Sequence, residues 1–223
     1  MIPPEWQAAR RILLVRLDNL GDVLVTTPAM RAVRESLPQA SLSLLTSPVG
    51  AQVGRLNPDI DEVITCEVPW VDPWQELPFD PAREAALIAS LRERRFDGAI
   101  IFTSFRQSPL PAAYLCYLAG IPLRLGSTWD GAGSLLTSRY KHEEQLIHEV
   151  ERNLALVATI GLTTANTDLV LQVNAEDRVT NYELRVTSSG SDDCPLPTLR
   201  LRSGQAANCQ LPLVILHPGC TMP

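Results

Sequence analysis

The chain has 223 residues, of which 45% are hydrophobic and 20% charged, and a net charge of −6. That length and apolar content suit one well-packed domain with room for the start of a second, and they exclude a disordered chain. The acidic balance excludes a nucleic-acid surface, which needs a concentrated basic face.

Met1 to Arg10 carries Pro3, Pro4 and Glu5 where a secretory leader needs an apolar core, so no export signal is read there. Ile12 to Val15 is a short apolar run of the kind that forms a buried strand in a parallel sheet. A polar turn follows, Leu17-Asp18-Asn19-Leu20-Gly21-Asp22. Val23, Met30, Val33 and Leu37 then recur at helical spacing. Pro28 must therefore sit near the start of the regular turns or kink the helix. Gly21 permits a tight or left-handed backbone that a substrate can approach closely. Asp22, at the helix start, is favoured as a carboxylate by the helix dipole and is a usable base for a hydroxyl. The same spacing also lets Asp18, Asn19 or Asp22 serve as an ordinary helix cap.

Ser41 to Thr46 reads as the second strand, Val49 to Leu56 as a short helix and Asp61 to Thr65 as the third strand. This β-α-β-α-β rhythm predicts an α/β fold, a Rossmann-like parallel sheet flanked by helices. Cys66 to Pro81 has too many prolines for a regular element and is predicted to be a loop, either a wall of a binding cleft or a surface segment pinned by its aromatics. Ala82 to Arg95 follows as a helix, with Arg92, Arg94 and Arg95 as a solvated basic end.

The fourth strand, Asp97 to Phe102, delivers Thr103 to Gln107 to the same sheet edge as Asp22. Ser104 and Gln107 can hydrogen-bond a polar ligand there, and Arg106 can meet a carboxylate or phosphate. Alternatively these are turn residues ahead of the helix Pro109 to Ala119. Ile121 to Leu125 is the fifth strand, Gly126 to Lys141 a glycine- and serine-rich loop, and Glu143 to Ile160 a helix capped by Gly161. His142 and His148 have no ligand cluster around them, so they read as surface residues and no metal is expected.

Leu169 to Val173 is strand-like, Asn174 to Gln210 has linker composition, and Leu213 to Leu216 resumes an apolar strand ending in His217-Pro218-Gly219-Cys220-Thr221. Cys66, Cys116, Cys194, Cys209 and Cys220 are odd in number and form no Cys-x-x-Cys pair, which reads as reduced thiols in the cytoplasm. No uninterrupted apolar stretch reaches the roughly 18 residues of a membrane span.

Four segments carry a resemblance. Arg16 to Pro38 (RLDNLGDVLVTTPAMRAVRESLP), Thr103 to Gly126, His148 to Leu162 and Leu213 to Cys220 are similar, in the same order, to glycosyltransferase family 9, the ADP-heptose:lipopolysaccharide heptosyltransferases. The resemblance implies the two-domain GT-B fold, with the acceptor held mainly by the first Rossmann-like domain and the nucleotide-sugar by the second. Residues 1–165 would be the acceptor-side domain, 166–210 an interdomain linker, and 211–223 the first strand and turn of a truncated donor domain. Asp22 matches the family's catalytic base. Asn19, Gly21, Ser104, Arg106 and Gln107 fall where substrate would bind, and His217, Gly219 and Thr221 form the donor-phosphate turn.

The implied partners are a nucleotide-sugar donor, ADP-heptose, and a lipid-linked or oligosaccharide acceptor of the lipopolysaccharide-core type, met at the inner face of the membrane by a peripheral enzyme. No cofactor or metal is implied. With the donor domain cut short, the isolated chain is expected to transfer little or no sugar. The rival expectation is a non-catalytic fragment or binding module that keeps the transferase fold. A phosphoacceptor receiver domain lacks its aspartate at Thr65-Cys66 and its lysine at Leu125-Gly126. A dinucleotide-binding turn is excluded by the single glycine in Leu17 to Asp22, and a Walker phosphate loop is missing.

Overall fold

A computed structural model describes residues 1–71, 76–129, 131–141 and 147–172. Six parallel strands form the sheet: β1 (Arg11–Arg16), β2 (Ser41–Thr46), β3 (Glu62–Thr65), β4 (Gly98–Ile101), β5 (Leu123–Ser127) and β6 (Ser138–Tyr140). Their spatial order is β3-β2-β1-β4-β5-β6, the order of a doubly wound Rossmann sheet. The direction of winding reverses between β1 and β4, so the loops leaving those two strands part and open a crevice at their C-terminal ends.

The helices are α1 (Pro4–Ala8), α2 (Leu20–Ser36), α3 (Gly50–Leu56), α4 (Pro81–Glu93), α5 (Leu110–Leu118) and α6 (Glu149–Ala158). Successive side chains of β1 point to opposite faces, and both faces are covered. Ile12 and Leu14 join the core under α2 and α6, while Leu13 and Val15 join the core under α4 and α5. Burial on both faces is why β1 reads as a continuous apolar run from Ile12 to Val15.

Pro28 lies in the middle of α2, and the helix runs through it. Proline leaves the carbonyl four residues earlier without its amide donor. That carbonyl, Leu24 O, instead accepts from Thr27 Oγ1 at 2.7 Å. The same hydroxyl oxygen accepts the Val170 amide at 2.9 Å, and Gln172 N donates to Leu56 O at 2.7 Å. Val170 and Gln172 are thus held by side-chain and loop contacts, and residues 169–172 form no strand, contrary to the sequence expectation.

Three further differences have local causes. The five-residue helix α1, which starts at Pro4 directly after Pro3, was not expected, yet Trp6 at its centre is completely buried. Its indole lies over Gly98, where an added Cβ would stand 2.8 Å from the ring, so only glycine admits it. The loop expected over 126–141 contains a 3₁₀ turn, Gly133–Leu135, and the edge strand β6. Finally, α6 starts at Glu149 with His148 as its cap, Nδ1 accepting from Val150 N at 3.3 Å. The expected start at Glu143 is not realised, since residues 147 and 148 are non-helical; residues 142–146, including His142, lie outside the described set. The same is true of 173–223, and so of most of the expected linker and the whole of the 211–223 segment.

Candidate active site at the sheet switch point

β1 ends in Arg16, a fully buried arginine. Its Nε lies 3.1 Å from Asp18 Oδ2 as an ion pair without hydrogen-bond alignment. Its Nη2 donates to Asp22 Oδ1 at 3.0 Å and to Ser104 Oγ at 2.8 Å. One buried cation therefore ties together both carboxylates of the β1–α2 turn and the loop after β4.

Asp22 is the third residue of α2. Its Oδ2 accepts the backbone amide of Asn19 at 3.2 Å, the acidic half of a capping box. Its Oδ1 accepts a second bond from Ser104 Oγ at 3.2 Å. The side chain nevertheless remains 27% exposed, where that of Asp18 is 9%. Capping and partial exposure are combined in one carboxylate, so the cap reading of Asp22 is realised and one of its edges still meets solvent.

The loop after β4 closes the other side. Gln107 Oε1 accepts from Ser104 N at 3.1 Å, and its Nε2 donates to Asp18 Oδ1 at 2.8 Å. Burial pushes the Asp18 carboxyl above its ordinary range, with Asp22 adding to the rise; Arg16 and Gln107 oppose it. Asp18, Asn19, Asp22, Ser104 and Gln107 line one side of a cleft of about 560 Å³. Its other side comes from Ser47 to Val49 after β2 and from Cys66 to Val68, Val71 and Leu77 of the loop after β3. The described part of that loop therefore forms the cleft wall that was one of its two expected roles.

Cys66 faces this cleft, but burial, reinforced by Glu84 and Glu67, pushes its thiol up to about 12. It stays protonated and is not a nucleophile. Among the described residues no cluster of three or more histidine, cysteine or acidic side chains could hold a metal ion.

No family model matches the chain. Over 153 residues it is 28% identical to lipopolysaccharide heptosyltransferase 1 of Escherichia coli O18:K1:H7, covering 66% of this chain and 45% of that protein. Its fold matches the glycosyltransferase family 9 protein of Veillonella parvula with a TM-score of 0.61 at 21% identity, over 78% of this chain and 47% of that one. It also matches an Escherichia coli heptosyltransferase solved with ADP-2-deoxy-2-fluoro heptose, with a TM-score of 0.55 at 21% identity, over 72% of this chain and 51% of that one. The chain is a homologue of the heptosyltransferases. It spans about half the length of the relatives it matches.

In this heptosyltransferase homologue, four of the residues singled out from the sequence, Asn19, Asp22, Ser104 and Gln107, meet in one cleft. Two others, Gly21 and Arg106, lie outside the lining of that cleft. Gly21 is helical rather than left-handed and an added Cβ would meet nothing within 4 Å, so its backbone freedom is unused. Arg106 is exposed, with a φ of 66°, and its guanidinium lies 5.2 Å from the Phe105 ring centre, outside the lining of the cleft. His217, Gly219 and Thr221 lie outside the described residues. The residue the sequence reading passed over is Arg16, which looks like the polar end of an apolar strand. The available signal was a cation two and six residues ahead of two aspartates.

Proposed function

We propose that this chain is the acceptor-side part of a sugar transferase, with Asp22 as its general base. Support comes from the position of Asp22: a partly exposed carboxylate on the helix that follows the central strand, facing a cleft shared with Ser104 and Gln107. Heptosyltransferase relatives extend that reading to glycan assembly of the lipopolysaccharide-core type, and the ADP-sugar analogue bound by one structural neighbour extends it to ADP-heptose as donor.

In the proposed reaction an acceptor hydroxyl enters the cleft and gives its proton to Asp22 as its oxygen attacks the anomeric carbon of the donor. The bond from that carbon to the diphosphate oxygen breaks on the opposite face, inverting the centre, and the nucleoside diphosphate leaves. Base catalysis of this kind contributes about 10²–10⁴-fold. Ser104 and Gln107 orient the incoming sugar, while the Asn19 amide at the helix N-terminus holds Asp22 Oδ2 in place. Stabilising the departing diphosphate falls to a donor-binding half like that of the relatives.

Acceptor binding tests this reading without needing turnover. Titrating isotope-labelled chain with a lipopolysaccharide-core oligosaccharide is expected to move the amide signals of Leu17 to Asp22 and Ser104 to Gln107 and leave α4 unmoved. Saturable binding centred elsewhere, or none at millimolar acceptor, contradicts it.

A further inference from the structure

Arg16 is the most expensive residue in the described part of the chain to have where it is. A guanidinium keeps its charge under all ordinary conditions, and taking it out of water costs several kcal/mol unless partners compensate. It ends a strand whose preceding four residues are apolar and buried. Even with its partners, Nη1 is buried without a hydrogen bond among the described residues. Evenly packed aliphatic side chains would serve the core better. The arginine must then be there for what it does to its neighbours.

What it does follows from counting. A carboxylate has about four lone-pair sites. On Asp22, Oδ1 accepts from Arg16 Nη2 and Ser104 Oγ, and both of its sites are taken. Among the described residues, Oδ2 accepts only from Asn19 N, which leaves one site, on Oδ2. Asp18 is held by Gln107 and stays paired with Arg16 when Asp22 is neutralised by a proton, so the cation is never left without a partner during the cycle.

We propose that Arg16 is a positioning residue for Asp22: held by Asp18, its buried guanidinium fixes Oδ1 and so assigns Oδ2 as the oxygen that receives the acceptor's proton. This rests on the base reading of Asp22 and adds to it the residue that aims the base. Ser104 completes the clamp on Oδ1 from the neighbouring loop. Without Arg16 the carboxylate keeps only the Ser104 hydroxyl and the Asn19 amide, and its side chain becomes free to turn.

The test compares the wild-type chain with Arg16→Gln and with the pair Arg16→Met and Asp18→Asn, which removes both members of the buried ion pair and so leaves no stranded charge. Three-bond couplings of Asp22 report its χ1, and amide spectra of β1 and α2 report folding. Wild type is expected to show one Asp22 rotamer and both variants an average of several. Arg16→Lys, which keeps the charge without the fork, falls between. A single unchanged rotamer in any folded variant that lacks the guanidinium overturns the proposal.

A second arm adds a separately made donor half and follows transfer. Arg16→Gln is expected to lower kcat by about 10²-fold with KM unchanged, as misplacement of a reacting group does. In the Asp22→Asn background it costs nothing more. Rotamer averaging alongside transfer that ignores Asp22 would defeat the base reading and leave the positioning role standing. An unchanged rotamer defeats the positioning role whatever the rates.

Discussion

On one side of the cleft, Leu17 to Asp22 and Ser104 to Gln107 leave the two central strands, β1 and β4, and are joined by the fully buried Arg16. On the other side, Cys66 to Val71 and Leu77 hang from β3, an edge strand, and lead into α4, whose single buried side chain is Leu91. The helix behind the first wall, α2, buries nine residues, from Val23 to Val33. The difference teaches where this fold concentrates its packing. A proton acceptor, the role proposed for Asp22, needs placement to a fraction of an ångström, and Asp22 stands on a helix packed closely against the central strands. The facing wall of the cleft stands on an edge strand with fewer buried anchors.

The contrast is broken most severely under the central strands. Trp6→Ala empties a completely buried site against β4 and is expected to cost about 3–5 kcal/mol in urea denaturation. A loss similar to that of an exposed site would mean that α1 is dispensable. Thr27→Val strikes α2 itself. It strips Leu24 O and Val170 N of the hydroxyl both rely on, with an expected loss of about 1–3 kcal/mol. A neutral result would show that Pro28 needs no such repair.

A smaller effect is one of shape. Burial holds Asp18 above its ordinary 3.8, so between 3.8 and its native value the folded chain binds more protons than the unfolded one. Asp18 therefore makes stability fall as pH rises through that window. Asp61 has the opposite sign: burial pushes it up, but the Leu42 amide and Arg34 outweigh that and hold it low, so its contribution is present above 3.8 and lost as pH falls. Denaturation midpoints from pH 3 to 7 are expected to lose the decline in Asp18→Asn and to keep it in Asp61→Asn. The smallest effect belongs to the loop wall. Phe79, 95% exposed, is expected to change stability by less than about 0.5 kcal/mol when replaced by serine. A larger loss would show that this wall is as firmly built as the other.

Much of this was legible before coordinates, for physical reasons that also mark where legibility stops. β1 and β4 are buried on both faces, so their apolar runs stand out. Ser138–Tyr140 pairs at the sheet edge and needs no apolar pattern, and α1 has just five residues opening on Pro3-Pro4, so neither left a period to read. Asp22 was visible because its turn is local. Arg16 was not, because its burial is decided by Asp18, Asp22 and Ser104 together, the last of them 88 positions away. Arg106 shows the converse: its neighbour Gln107 lines the cleft, while its own guanidinium lies over the Phe105 ring, outside that lining.

The most direct test of the account is sugar transfer by the full chain mixed with a donor-binding half and ADP-heptose, comparing wild type with Asp22→Asn. Asparagine keeps the size and can still cap the helix but cannot take a proton. Transfer is expected to fall by about 10²–10⁴-fold, with the fold and acceptor binding retained. Turnover at the wild-type rate in the asparagine variant would contradict the account.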